Sequence, residues 1–113
     1  MTHYMNLNPE PFKMINTGIK TIELRLNDEK RQKIKVGDKI EFTNTQNSDM
    51  KITVSVIALH NFNSFADLYE NLPLLKCGYT EKDISTAKPE DMELYYSIEK
   101  QSKYGVLGIE IIK

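Results

Sequence analysis

Between residues 18 and 25 the chain reads Gly18-Ile19-Lys20-Thr21-Ile22-Glu23-Leu24-Arg25. Thr21–Leu26 alternates, with Ile22, Leu24 and Leu26 on one side and Thr21, Glu23 and Arg25 on the other, the period of a half-buried strand. Residues two apart on a strand lie about 6.5–7 Å apart, so Glu23 can orient Arg25. Lys20 stands at the strand entrance. A lysine, a carboxylate and an arginine in one cleft suit a phosphate or a nucleobase edge. The cations supply donors, and the glutamate positions them or accepts a base amino proton. The same Lys20–Glu23 pair, with pKa values drawn toward neutrality by burial, suits proton exchange during hydrolysis. The spacing also describes an exposed ion pair on a sheet face, contributing about 0–1 kcal/mol.

The elements that must position these residues are readable from punctuation and period. A helix is expected over 9–17, opened by Pro9 and Pro11 and stopped by Gly18. After the 21–26 strand comes a polar loop or helical turn over Asn27–Lys33. Val36-Gly37-Asp38 turns the chain into a strand with Ile40 and Phe42 inward, and Asn44–Asp49 is a polar hairpin loop. A strand over Met50–Leu59 follows, with Ile52, Val54 and Val56 inward. Ser64 with Asp67 opens a helix that Pro73 ends. Thr80 with Asp83 repeats that signature for a short helix over Thr80–Ala87. Pro89 begins another through about Lys100, and Val106–Ile112 is a last strand. Ile22, Leu24, Ile40, Phe42, Ile52, Val54, Val56, Leu107, Ile109 and Ile111 share a period-2 phase and are expected to form one core. On that reading Lys20 and Arg25 are surface-cleft residues whose truncation costs little stability.

Composition bounds the function. The 113 residues, 40% of them apolar, suffice for one domain spanning 1–113. Net charge is −1, but residues 13–40 hold eight bases and four acids, +4, against seven bases and twelve acids, −5, elsewhere. A neutral chain of this kind can present one anion-attracting face. The lone Cys77, with only His3 and His60 beside it, excludes an internal disulfide and argues against a zinc cage. No phosphate-loop glycine pattern appears. No metal and no cofactor is therefore expected. No run approaches the roughly 18 apolar residues of a membrane helix, and Met1–Glu10 lacks the apolar stretch of a leader. A cytoplasmic protein with no membrane partner is the expectation.

Gly18-x-Lys20-x-x-Glu23-x-Arg25, preceded by Asn8-Pro9-Glu10-Pro11-Phe12, resembles the signature of the ASCH (activating signal cointegrator homology) family. Val36-Gly37-Asp38-x-Ile40-x-Phe42 matches a second landmark, and Tyr104-Gly105-Val106-Leu107-Gly108-Ile109 is similar to the closing strand. The resemblance runs from about Asn6 to Ile112. It implies an α+β, PUA-like small β-barrel of about five to six strands, with flanking helices lining a cleft. It also implies binding of RNA or of a modified nucleoside or nucleotide, with the motif residues Lys20, Glu23 and Arg25 lining that cleft.

Some relatives are amidohydrolases that deacetylate N4-acetylcytidine with a lysine, a threonine and a glutamate. Lys20 falls on the lysine and Glu23 on the threonine. Leu75 and Lys76 fall nearest the glutamate, and neither is an acid. Other relatives are ribonucleases. The resemblance thus leaves three readings: an RNA or nucleotide binder, a small hydrolase in which Lys20 and Glu23 transfer protons, and a protein-interaction module.

Around the motif, Lys30 and Arg31 follow the signature strand and are expected to extend the basic rim. Tyr95 and Tyr96, adjacent on the expected helix, diverge by about 100°. One of them, taken as Tyr96, offers a ring for base stacking.

Overall fold

The computed structural model describes residues 1–113. Its first element is one the sequence reading missed. Thr2–Leu7 forms strand β1, burying His3, Met5 and Leu7 and exposing Thr2, Tyr4 and Asn6. Two of its three inward positions are apolar; the third, His3, is satisfied by Asp38 at 2.8 Å. Helix α1 (Pro9–Asn16) carries a proline in its first turn and buries Phe12 and Ile15. Gly18, at φ 81°, reverses the chain, and the Ile19 and Lys20 amides both close back on the Met14 carbonyl. A glycine is needed there because side chains crowd the backbone at positive φ.

Strand β2 (Ile22–Leu26) is followed by a 3-10 turn at Arg31–Lys33 and by β3 (Lys39–Asn44). Strand β4 runs from Asn47 to Phe62, longer at both ends than the expected 50–59. It pairs with β3 through its first half and with β5 (Val106–Ile112) through its second. The register jumps between Val56 and Ala58, and this bulge leaves Ile57 exposed and bends the strand. The order is β1-β3-β4-β5-β2. Only β1 and β3 run parallel. The result is a five-stranded sheet curled into a half-barrel with β1 and β2 as its edges.

Two side chains bridge those edges. Arg25 Nη2 donates to the Asn6 carbonyl at 2.8 Å, and Lys30 Nζ donates to the Tyr4 carbonyl at 2.8 Å. Both acceptors belong to β1, and edge groups left unpaired would otherwise invite foreign strands.

The helical half differs from expectation in two places. Helix α2 (Phe65–Asn71) is capped as read, Ser64 Oγ accepting from the Asp67 amide. At Thr80 the cap bonds also form, Thr80 Oγ1 and Asp83 pairing at 2.8 Å, but 81–86 is exposed and stays a series of turns. A short helix is stabilised chiefly by packing of an apolar face, and this segment has none buried. The expected 89–100 helix is two elements, a 3-10 helix at Pro89–Leu94 and α3 (Ile98–Tyr104), because Ser97 caps a fresh start by accepting from the Lys100 amide.

The single core is also corrected. Ile40, Phe42, Ile52, Val54, Val56, Leu107, Ile109 and Ile111 pack inside the curl with Met5, Leu7, Phe12 and Ile15. Ile22, Leu24 and Leu26 belong to a second cluster on the other face, with Phe65, Leu68 and Val106. Alternation gives the phase of β2 but not which side is the barrel interior, since both faces are covered here. Glu23 and Arg25, opposite Ile109 and Leu107, therefore lie on the concave face and not on an outer one. No helix is long and apolar enough to cross a membrane.

Gly105 joins α3 to β5 at φ 75°, ψ −177°, a region nearly closed to other residues. A Cβ there would sit 2.9 Å from the Phe62 carbonyl oxygen. Gly105→Ala is expected to lower stability by about 1–3 kcal/mol, read as a lower urea midpoint with an unchanged slope. An unchanged midpoint would contradict the strain.

Candidate functional site

The Gly18 reversal delivers Lys20 to the mouth of a cleft of about 380 Å³, near the lower end of the roughly 300–1,000 Å³ of small-molecule sites. It lies between α1 and the start of β2 on one side and the 77–79 and 92–96 segments on the other. The aliphatic stem of Lys20 runs past Gly78, where an added Cβ would stand 3.3 Å from Cδ. Gly78 thus leaves the lysine room to enter.

Glu23 is the hinge of the arrangement. It is 3% exposed, and each carboxylate oxygen takes one cation: Lys20 Nζ to Oε1 at 2.7 Å and Arg25 Nε to Oε2 at 2.7 Å. Burial alone would raise its pKa. Attraction and hydrogen bonds from Lys20 and Arg25 more than reverse that and hold the carboxyl below the usual carboxylate range. Burial likewise disfavours the Arg25 charge, but Glu23 and the Tyr96 phenol outweigh it and raise the guanidinium above its ordinary value. Arg25 also anchors β1, so it is no free surface cation. Its truncation is expected to cost stability, against the sequence expectation.

Tyr96 lines the cleft with Lys20, Glu23 and Arg25, its ring stacked on Phe65 at 5.8 Å between centroids. Tyr95 lines it too and is 69% exposed. Lys30 and Arg31 do not. Lys30 is drawn to β1, and Arg31 Nη1 pairs with Asp28 at 2.9 Å. Leu75 and Lys76 also lie off the lining. Asn8, which opens the Asn8–Phe12 part of the signature, joins it together with Asn6 and Tyr79, neither of which was read as a site residue from the sequence. An alternating reading of residues 2–7 would have drawn attention to Asn6, while Tyr79 is brought in only by tertiary packing. The Tyr79 hydroxyl is hydrogen-bonded to Tyr69 and donates to Asp91 at 3.3 Å. Cys77 borders the cleft with its thiol pushed up to about 11, chiefly by burial, which disfavours the thiolate at neutral pH. His60 pairs with Glu110 at 2.7 Å and takes no part in the lining.

The model of the ASCH domain matches residues 5–113. The chain belongs to the ASCH domain family. Its fold is the family's α+β, PUA-like half-barrel, and ASCH domains are in general RNA-binding or hydrolase-like. The crystal structure of hypothetical protein PH0355 is similar at 32% identity and a TM-score of 0.78, covering 98% of this chain and 97% of that one. The solution structure of protein PF0455 from Pyrococcus furiosus is similar at 36% identity and a TM-score of 0.74, covering 98% and 96%. An ASCH protein from Zymomonas mobilis, in its S128A form, shares the fold at 14% identity and a TM-score of 0.69, covering 99% of this chain and 68% of that one. No curated protein matches the chain.

Proposed function

We propose that this ASCH domain binds a nucleotide, free or as an unpaired residue of RNA, in the Lys20–Glu23–Arg25 cleft. The observation that supports this most is the double pairing of Glu23. One carboxylate serves two cations, so the Lys20–Glu23–Arg25 cluster keeps a formal charge of +1, with Glu10 the other acid on the lining. Lys20 has three N–H donors and Arg25 five. The two Glu23 oxygens and the Asn6 carbonyl leave several of them for a ligand. Such a surplus of donors suits a phosphate or base-edge carbonyls, with charge-assisted hydrogen bonds. Lys20 and Arg25 are the binding groups and Glu23 positions them. The buried lone thiol suits a cytoplasmic setting.

The hydrolase reading is weaker. Glu23 is held as an anion by two partners, and no acid occupies positions 75 or 76.

Titration calorimetry with cytidine 5′-monophosphate and with a short single-stranded RNA tests the proposal. Lys20→Gln keeps a polar group on a shorter stem and removes the charge. It is expected to weaken both by about 1.5–3 kcal/mol, about 10- to 150-fold. RNA affinity is expected to fall with salt, with a log–log slope of about −0.7 per phosphate neutralised. Salt-independent binding, or full affinity in the Lys20 variant, would remove the phosphate from the cleft.

A further inference from the structure

The two adjacent tyrosines of the cleft are held very differently. Tyr96 is fixed: its ring is stacked on Phe65, its amide donates to the Met92 carbonyl, and its own carbonyl accepts from the buried Gln101. Tyr95 sits where the 3-10 helix at Pro89–Leu94 ends, before Ser97 caps α3. Its amide donates to the same Met92 carbonyl at 3.0 Å, so its backbone is held while its ring stays 69% exposed on the cleft lining. The segment that carries it is tied to the cleft wall. Asp91 accepts from the Lys88 amide and from the Tyr79 hydroxyl, which is itself bonded to Tyr69.

A large ring left uncovered beside a cationic floor presents a flat apolar face next to donors that need acceptors. A sugar phosphate uses only the donors. A ligand with a planar ring and an acceptor-rich head uses both.

We propose that Tyr95 is the specificity-determining residue of the cleft, its ring covering the face of a nucleobase while Lys20 and Arg25 hold the ligand's phosphate or edge acceptors. This rests on the nucleotide-binding reading above and narrows it. The site selects nucleotides over sugar phosphates, with little preference among bases, because every base offers a π-face.

The test is calorimetric titration of cytidine 5′-monophosphate and of ribose 5-phosphate into the natural protein, Tyr95→Ala, Tyr95→Phe and Lys20→Gln. Tyr95→Ala is expected to weaken the nucleotide about 5- to 150-fold and to leave ribose 5-phosphate unchanged. Tyr95→Phe keeps nucleotide affinity, since the ring face does the work. Lys20→Gln weakens both ligands. Nucleotide affinity unchanged in Tyr95→Ala, or an equal loss for both ligands, would overturn the role of Tyr95 while leaving the Lys20 result standing. Binding of neither ligand by the natural protein would overturn the nucleotide reading and this inference with it.

Discussion

Glu23→Gln is expected to destabilise the protein by about 3–5 kcal/mol at neutral pH, the range for removing one partner from a buried ion pair. The substitution keeps the shape but replaces one acceptor oxygen with an NH2 donor and removes the charge paired with Lys20 and Arg25, which lie 2.7 Å from its two oxygens. Two cations are then left facing each other on the concave face, and the Arg25 bridge to β1 loses its orienting carboxylate. The loss has a pH signature. The folded pKa of Glu23 lies below its ordinary 4.5. Its contribution is therefore fully present above about pH 4.5 and is lost as pH falls through the folded value. The gap between the natural protein and Glu23→Gln, measured by urea unfolding at successive pH values, should stay wide down to pH 4.5 and narrow below it. A gap that does not change with pH would mean that the carboxylate's charge is not what holds the cluster.

N4-acetylcytidine should not be turned over at a useful rate. Positioned general acid–base groups contribute about 10²–10⁴-fold each, and this cleft lacks them in the form that the amidohydrolase relatives imply. Lys20 Nζ is engaged with Glu23. Glu23 replaces a threonine and, with its pKa lowered, has no proton to give at neutral pH. Neither Leu75 nor Lys76, nearest the missing glutamate, is an acid or lines the cleft. Incubation with N4-acetylcytidine and measurement of cytidine released should show none above the Lys20→Ala control. Rapid release that disappears in that control would make hydrolysis the primary reading.

The Lys20–Glu23–Arg25 cluster was more legible in the sequence than its setting. Lys20, Glu23 and Arg25 meet because a glycine-terminated helix and a strand with period-2 spacing bring them together locally, and both signals are short-range. What spacing could not tell was the side of the sheet. Ile22 and Leu24 are buried as read, but in a cluster with Phe65 and Leu68, because α2 packs on the neighbouring β4 and β5 and α3 on β2, covering the convex face. An alternation of apolar and charged residues then looks the same whether the charges face water or a cleft.

Strand β1 escaped notice because Thr2-His3-Tyr4-Met5-Asn6-Leu7 places a histidine at an inward position, acceptable only through Asp38, thirty-five residues away. Lys30 and Arg31 lie off the cleft lining for a related reason. Their neighbourhood in sequence is the cleft strand, but the Tyr4 carbonyl and Asp28 draw them aside. The tyrosine pair needed the break at Ser97, without which Tyr95 and Tyr96 would have shared one helix.

The central claim, that the cationic floor holds a nucleotide, is tested most directly by following the Arg25 Nε–H resonance by NMR while cytidine 5′-monophosphate is added. Arg25 Nε is bonded to Glu23 and its guanidinium borders the cleft. The account predicts a saturable shift of that resonance, with the affinity found by calorimetry. Saturating nucleotide that leaves the Arg25 resonance in place while shifting signals elsewhere would contradict it.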